Sequence, residues 1–394
     1  MAAVALYSWG ANGHGQLGLG HNRENEANRP TRIGLTVDPQ ELSQITGGGS
    51  HSIILTSKIQ LINETMINLR YCMLHVTDDG NIFGCGNNSK QQLGFSDVND
   101  ILYFTQLNFN IKIRRVACGW EHTLAVTDNG ELYAWGANNF NQLGINSNRK
   151  QVEIPVKVEI EFKVNAIAAG IRHSLATTEN GRIFSWGDNR KGQLGRQDDS
   201  KLPREIHNPQ QRFIKDVVCG AYHSAAVDDS GDVTLWGSNN YGQLGLHPLD
   251  KPVISTPMLL ERGVFNGEGV SVLRSGWTHF IALMNEGSVY SWGRNDYGQL
   301  GRSSEKKFDF IPNKIDGLHS PFLVYSGSEH NIAILNKQEE CTDVIITWGW
   351  NEHGICGNGS EENVMRPTRL KTDDGKFRVS NCGCGSGQNF IVIS

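Results

Sequence analysis

A ten-residue pattern, W-G-x-N-x-x-G-Q-L-G, recurs seven times along the 394 residues and limits the possible folds more than any other feature. Its copies begin at Trp9, Cys85, Trp135, Trp186, Trp236, Trp292 and Trp348, at intervals of 76, 50, 51, 50, 56 and 56 residues. A second pattern, G-x-x-H, ends at His51, His122, His173, His223, His279 and His330, with Gln388 in the last copy. Self-similarity at such a period marks one supersecondary unit copied along the chain, each copy burying its faces against its neighbours.

The copy from Val116 to Gly136 shows what the unit is. Val116–Cys118 is a short strand of small and apolar residues, Gly119–Glu121 a turn, and His122–Val126 a second strand. Thr127–Gly130 is a hairpin turn with glycine to supply a positive φ, and Glu131–Trp135 alternates polar and apolar residues as a third strand. A Gly- and Asn-rich loop, Gly136–Gly144, leads to an outer fourth strand around Ile154–Val158, where Pro155 suits an edge. Antiparallel strands repeated in this way seven times predict an all-β, seven-bladed β-propeller occupying residues 1–394 as one domain. The last segment, Cys382–Ile393, holds the first two strands of a blade, and Leu6–Trp9 is a third strand with nothing before it. The two ends are therefore expected to share one blade.

Composition narrows the function. The 45 glycines fit many tight turns. The formal charge of −5, without a Lys/Arg-rich run, argues against nucleic-acid binding. No stretch approaches the ~18 apolar residues of a membrane span, and MAAVALYSWG lacks the basic and apolar regions of a secretory leader. A monomer in the cytoplasm, with the nucleus as a second location, is expected. Cys118, Cys219 and Cys384 share one repeat position with Gly47, Ala169, Ser275 and Ser326, a slot for small side chains rather than a disulfide framework. Cys382-x-Cys384 has no second ligand pair, and one His per blade cannot converge on one ion, so no metal is expected. The His rings are expected to satisfy backbone groups at their turns. No Walker loop and no nucleophile–base or paired-carboxylate set stands out, so neither a cofactor nor covalent chemistry is expected.

The two patterns at this spacing resemble the repeats of the regulator of chromosome condensation family over essentially the whole chain. The segments ITGGGSHS (45–52), VACGWEHTLAVTDNG (116–130), SGWTH (275–279), WGRNDYGQLGR (292–302), SGSEHNIAI (326–334) and WGWNEHGICGNGSEENV (348–364) are similar to a secretion-linked exchange-factor branch of it, including non-repeat positions. That resemblance implies a guanine nucleotide exchange factor for a small GTPase, regulating secretion through an exocyst-type tethering subunit. The other reading is a non-catalytic adaptor that binds a GTPase or tethering subunit without accelerating nucleotide release. The basic tail of the chromatin-bound member is missing, so chromatin binding does not carry over. Cys85 in place of Trp implies weaker packing of its blade, and Gln388 replaces His at the seam.

Function must then sit in the variable turn residues. The G-x-x-H turns and the loops after W-G lie on the same side of an antiparallel disc. Residue types common at binding hot spots, Trp, Tyr and Arg, are frequent in them. Trp120, Glu121, Trp277, Arg294, Asp296, Trp350, Glu352 and His353 are the candidate partner-binding residues, with Phe140, Arg172, Arg190, Tyr222, Tyr241, Tyr297 and Glu329 in the same turns.

One segment breaks the period. His122, His173, His223 and His279 each precede their turn glycine by 8 residues, whereas His51 to Gly80 is 29, an excess of 21. Residues 53–72, rich in Ile, Asn, Leu, Lys and Met and lacking Gly and Pro, read as a translated short intron or gene-model error. The alternative is a family-specific insertion that projects as a partner-binding arm. Ile53–Thr56 and Met73–Thr77 compete for the second-strand position.

Overall fold

The alternation within each repeat folds it into a four-stranded antiparallel sheet, and a computed structural model of the chain contains seven of them. It describes residues 4–23, 25–56, 80–96, 99–107, 109, 111–198, 200–208, 211–302, 306–337, 342–371 and 377–394. The chain ends meet in one blade, ordered Val379–Cys384, Gln388–Ile393, Ala5–Ala11, Glu26–Ile33 from first strand to fourth. Here Leu6 pairs with Val392 and Ser8 with Phe390. We call this the seam blade. Blade 2 comprises Leu42–Gly47, His51–Thr56, Ile82–Asn87 and Asp100–Leu107; blade 3 comprises Ile113–Cys118, His122–Thr127, Leu132–Ala137 and Gln151–Val158. Blade 4 runs from Val164 to Glu205, blade 5 from Ile214 to Leu260, blade 6 from Val270 to His319 and blade 7 from Leu323 to Arg369.

Burial follows strand position. The second strand of six blades is buried at every residue, whereas fourth strands such as Glu26–Ile33 are mostly half-buried or exposed. Ile53–Thr56 occupies the second-strand position of blade 2, with Ile54 opposite Phe83. The remainder of the proposed excess, 57–72, and the competing Met73–Thr77 lie outside the described residues.

Two sets of inter-blade contacts close the ring. Six repeat tryptophans, Trp9, Trp135, Trp186, Trp236, Trp292 and Trp348, are wholly buried. Each removes about 150–250 Å² from water, worth roughly 4–6 kcal/mol. Five of them also donate an indole hydrogen bond to a carbonyl of the preceding blade, as Trp186 does to Gln142 O at 2.9 Å. The last glycine of the long pattern makes room: a Cβ on Gly144 would lie 2.8 Å from Trp186 Cδ1, and its φ is +68°. Cys85 does not leave an empty joint: it packs in one cluster with Phe104 and Phe390. Its thiol reaches Gln16 O at 3.4 Å, where an indole would donate, and Phe104 of the fourth strand stands against Gly18 where the other blades have the indole. Phe104 sits under Gly18 and edge-on to Phe390, with centroids 5.9 Å apart. The other six fourth-strand segments have proline at this place: Pro30, Pro155, Pro203, Pro257, Pro312 and Pro367. Trp-with-Pro has been exchanged for Cys-with-Phe.

The repeated histidines form the second set, and they differ from expectation: each ring reaches the next blade instead of serving its own turn. His122 Nε2 lies 3.0 Å from Ser174 Oγ, and His173 Nε2 3.0 Å from Ser224 Oγ. His279 Nε2 is 2.9 Å from Asn331 Oδ1 and His330 Nε2 2.7 Å from Asn389 Oδ1. Ser174 and Ser224 spend their only hydroxyl hydrogen on Gln142 O and Gln193 O, so the histidine must donate from Nε2. At the seam Gln388 takes over, donating from Nε2 to His51 O at 3.0 Å and Ser52 Oγ at 3.3 Å.

Candidate functional site

The first strands surround the axis, and their G-x-x-H turns knit together across it. Trp120 N–H donates to Gly170 O, Trp277 N–H to Ser328 O, Ser328 N–H to Ser386 O and Ser386 N–H to Gly48 O. Gly49 N–H donates to Trp120 O and Ala221 N–H to Trp277 O, at 2.7–3.3 Å throughout. This belt rings an axial cavity of about 190 Å³ lined by Thr46, Cys118, Cys219, Ser275, Ser326 and Cys384 among others. Small side chains are needed because all seven blades converge there. The glycine of each turn is needed because a Cβ on Gly119 would collide with the His122 ring. Trp120 of blade 3 and Trp277 of blade 6 meet over the hub, ring centroids 5.3 Å apart, with Trp120 37% exposed.

Outward from Trp277, an aromatic and cationic arc crosses three blades. Arg294 lies 4.8 Å from the rings of both Tyr241 and Tyr297. Its Nε donates to Asp296 at 2.6 Å and its Nη1 lies 3.5 Å from Glu329 Oε1. Tyr297 continues to Trp350 and Trp350 to His353, each pair with centroids 6.4 Å apart. His353 Nδ1 closes on Glu26 of the seam blade at 2.9 Å. Glu329 anchors this arc from below. It accepts from Thr278 Oγ1 at 2.8 Å and from Gln299 Nε2 at 2.6 Å, and burial holds its carboxyl above the ordinary range. A second stack lies on blades 3 and 4, with Arg172 at 4.1 Å and Arg190 at 5.2 Å from the Phe140 ring.

The structure thus brings Trp120 to Trp277 at the hub, and Arg294, Asp296, Trp350 and His353 into one arc. Glu121 is half-buried at the hub turn, and Glu352 is exposed beside His353. Two assignments change. Glu329 is 4% exposed and positions Arg294 and Thr278 rather than facing a partner. Trp350 is half-buried, wedged between Tyr297 and His353, and not freely exposed. Sequence reasoning missed Glu26, although the shared seam blade is what brings it to His353. It also missed Thr278 and Gln299, because turn membership alone places their partner, Glu329, at the surface.

The buried histidines and thiols of the hub are held in their uncharged forms. Burial lowers the pKa of His51, His122 and His223 to about 3, and that of His173, His279 and His330 to about 4, so all six are neutral. Their Nδ1 atoms have no hydrogen-bond partner among the described residues, so a proton there would be a buried charge without an acceptor, except at His279, whose Nδ1 lies 3.8 Å from Glu329 Oε2. Burial likewise raises the Cys118 and Cys382 thiols to about 12 and pushes up Cys219 and Cys384, which makes them poor nucleophiles. Among the described residues no group of three or more His, Cys, Asp or Glu is arranged to hold a metal ion.

Comparison with known proteins agrees with this architecture. The RCC1-like domain family matches residues 70–391, and the regulator of chromosome condensation (RCC1) repeat matches residues 5–55. The chain is 33% identical to the secretion-regulating guanine nucleotide exchange factor of Mus musculus, over 99% of this chain and 84% of that protein. It is 34% identical to the Bos taurus protein of the same name, over 99% and 83%. The ultraviolet-B receptor UVR8 of Arabidopsis thaliana is 32% identical over 89% of this chain and 74% of the receptor. Among solved structures, Prp20p of Saccharomyces cerevisiae superimposes with a TM-score of 0.83 at 23% identity, over 99% of this chain and 91% of that one.

Proposed function

We propose, from the premise that this chain belongs to the RCC1 repeat family, that its turn face binds a small GTPase and promotes release of the bound guanine nucleotide. The observation that carries the reading is the arc Tyr241–Arg294–Tyr297–Trp350–His353, lying on the same face as the Trp120–Trp277 pair. Tyr, Trp and Arg anchors dominate binding energy at protein interfaces. The stacking and the Glu329 anchor hold these side chains before any partner arrives, which lowers the entropic cost of docking. The names of the mouse and cattle relatives support exchange activity and a role in secretion. The solved yeast relative is described by its binding to Gsp1p and histones.

The mechanism is coupling, not bond chemistry. A face that fits the nucleotide-free GTPase better than the loaded one weakens nucleotide binding by the same factor that nucleotide weakens the face's grip. No residue needs to titrate, which agrees with the neutral histidines and protonated thiols. An exocyst-type tethering subunit as second partner, and a cytoplasmic and nuclear location, belong to the same reading and rest on the resemblance. No helix among the described residues is long and apolar enough to cross a membrane.

The test is release of a fluorescent GDP analogue from a panel of small GTPases, with the propeller at substoichiometric concentration. Multiple turnovers on one GTPase support the proposal. Stoichiometric binding without release indicates the adaptor instead, and no interaction across the panel overturns the assignment.

A further inference from the structure

Charge is distributed unevenly around the turn face. The turn and loop segments 119–121, 136–151, 170–172 and 187–203 of blades 3 and 4 carry seven Lys and Arg against four carboxylates, a local excess of +3 in a chain of formal charge −5. The equivalent segments of blade 7, 327–329 and 349–363, carry four carboxylates and no Lys or Arg. The hub lies between these two sectors.

The basic sector has internal organisation. Arg149, Lys150, Arg190, Lys191 and Lys201 are exposed, and Arg172 is half-buried. Phe140 lies under the guanidinium groups of Arg172 and Arg190, which fixes two cations over one ring. The buried Asp188 holds Arg190 through a bidentate contact at 2.8–3.1 Å, so its guanidinium is aimed rather than free to wander. Beside the stack runs a groove of about 480 Å³ lined by Phe140, Arg190, Lys201, Asn139, Asn189 and Ser200, and by two carboxylates, Asp188 and Asp198, which are ion-paired to Arg190 and Arg196. Because both groove carboxylates are paired to arginines, the exposed Lys201 in the groove, with Arg149, Lys150 and Lys191 in the same turn segments and the Phe140 ring beside them, suits an extended carboxylate-rich segment with an aromatic or aliphatic residue among its acids.

We propose that this sector of blades 3 and 4 is a docking groove for an acidic segment of a protein partner. It deepens the reading that the turn face binds protein, and it sets the orientation: the acidic part of the partner lies over blades 3 and 4, away from the carboxylates of blade 7. Opposed charges arranged in this way steer encounter and fix register more than they add affinity.

The probe is a fluorescein-labelled peptide of Glu and Asp with one central Tyr, titrated with the full chain by fluorescence polarisation. Saturable binding is expected, fading as salt is raised to about 0.5 M because screening then acts within a few ångströms. The double variant Lys191→Glu with Lys201→Glu, two exposed positions, should keep the parent melting temperature and weaken the peptide roughly tenfold. Absence of binding, or equal binding by parent and variant, overturns the proposal. So does a parent chain that ignores the peptide but sediments with phosphatidylserine vesicles, since the sector would then serve a lipid surface. The assay contains no GTPase. Peptide binding with a negative GDP-release panel therefore keeps the groove and removes only the exchange reading.

Discussion

Lowering the pH from 7.5 to 5.0 should destabilise this ring severely through its six buried histidines. Each donates from Nε2 to the next blade and keeps in the interior an Nδ1 without a hydrogen bond, that of His279 lying 3.8 Å from Glu329 Oε2. Their folded pKa values, about 3 to about 4, lie below the unfolded value of 6.5. Below pH 6.5 the unfolded chain therefore binds more protons than the folded one. The stability is complete above 6.5 and is lost as the pH falls toward 4. At pH 5.0 the gap between 6.5 and the ambient pH is about 1.5 units, worth about 2 kcal/mol per histidine. Six independent sites would sum to about 12 kcal/mol, comparable with the whole stability of a typical domain, about 5–15 kcal/mol. Guanidinium denaturation at a series of pH values measures the loss, and proton uptake on unfolding near pH 5.5 counts the sites, with about five to six expected. His223→Gln, which copies the glutamine that serves at the seam, should remove about one proton from that count. A denaturation midpoint unchanged between pH 7.5 and 5.0, or unfolding without proton uptake, would refute the reasoning.

Phe104→Ala should cost about 3–5 kcal/mol by emptying the place beside Cys85, and Cys85→Trp alone should cost about 1–3 kcal/mol by overfilling it. The double change Cys85→Trp with Phe104→Pro, which installs the pair of the other blades, should recover much of the loss; additive single effects in thermal melts would show that the two positions are not coupled. Trp350→Ala should weaken GTPase binding about tenfold or more while the circular dichroism spectrum stays that of the parent; unchanged binding would remove the arc from the interface. Deleting residues 382–394 strips the seam blade of its buried second strand and should abolish cooperative folding, whereas a truncated chain melting like the parent would mean that the seam is dispensable.

The blades and the seam were legible because a period near fifty residues and two complementary partial repeats depend only on residue order. The histidine links were not read, although a sign of them was present. In six of seven copies the residue after the G-x-x-H position is polar: Ser52, Thr123, Ser174, Ser224, Asn331 and Asn389. The exception, Phe280, sits edge-on to His223 at 4.8 Å, and there the histidine turns to Ser275 Oγ at 2.9 Å. Seeing this required knowing that the neighbour of each ring is one whole repeat away. The Cys85–Phe104 exchange was hidden for the same reason, since its two halves lie in different strands and each looks like a lone departure. Turn membership placed Trp120, Trp277, Arg294 and Trp350 on one face. Their depth depended on side chains reaching from adjoining blades, such as Gln299 and Glu26, which no local pattern encodes.

The seam has a consequence during synthesis. Ala5–Ala11 hydrogen-bonds on one side to Glu26–Ile33, which follows at once, and on the other to Gln388–Ile393, which is made only after the six blades between. At about 5–20 residues per second, this hairpin leaves the ribosome and then waits roughly 20–80 s for the strand that completes its sheet. Throughout that interval one edge of an apolar strand stays unpaired, while the blades between accumulate one by one behind it. A nascent chain of this design needs either a holding factor on its opening hairpin or neighbours in the polysome kept too far apart to trade strands.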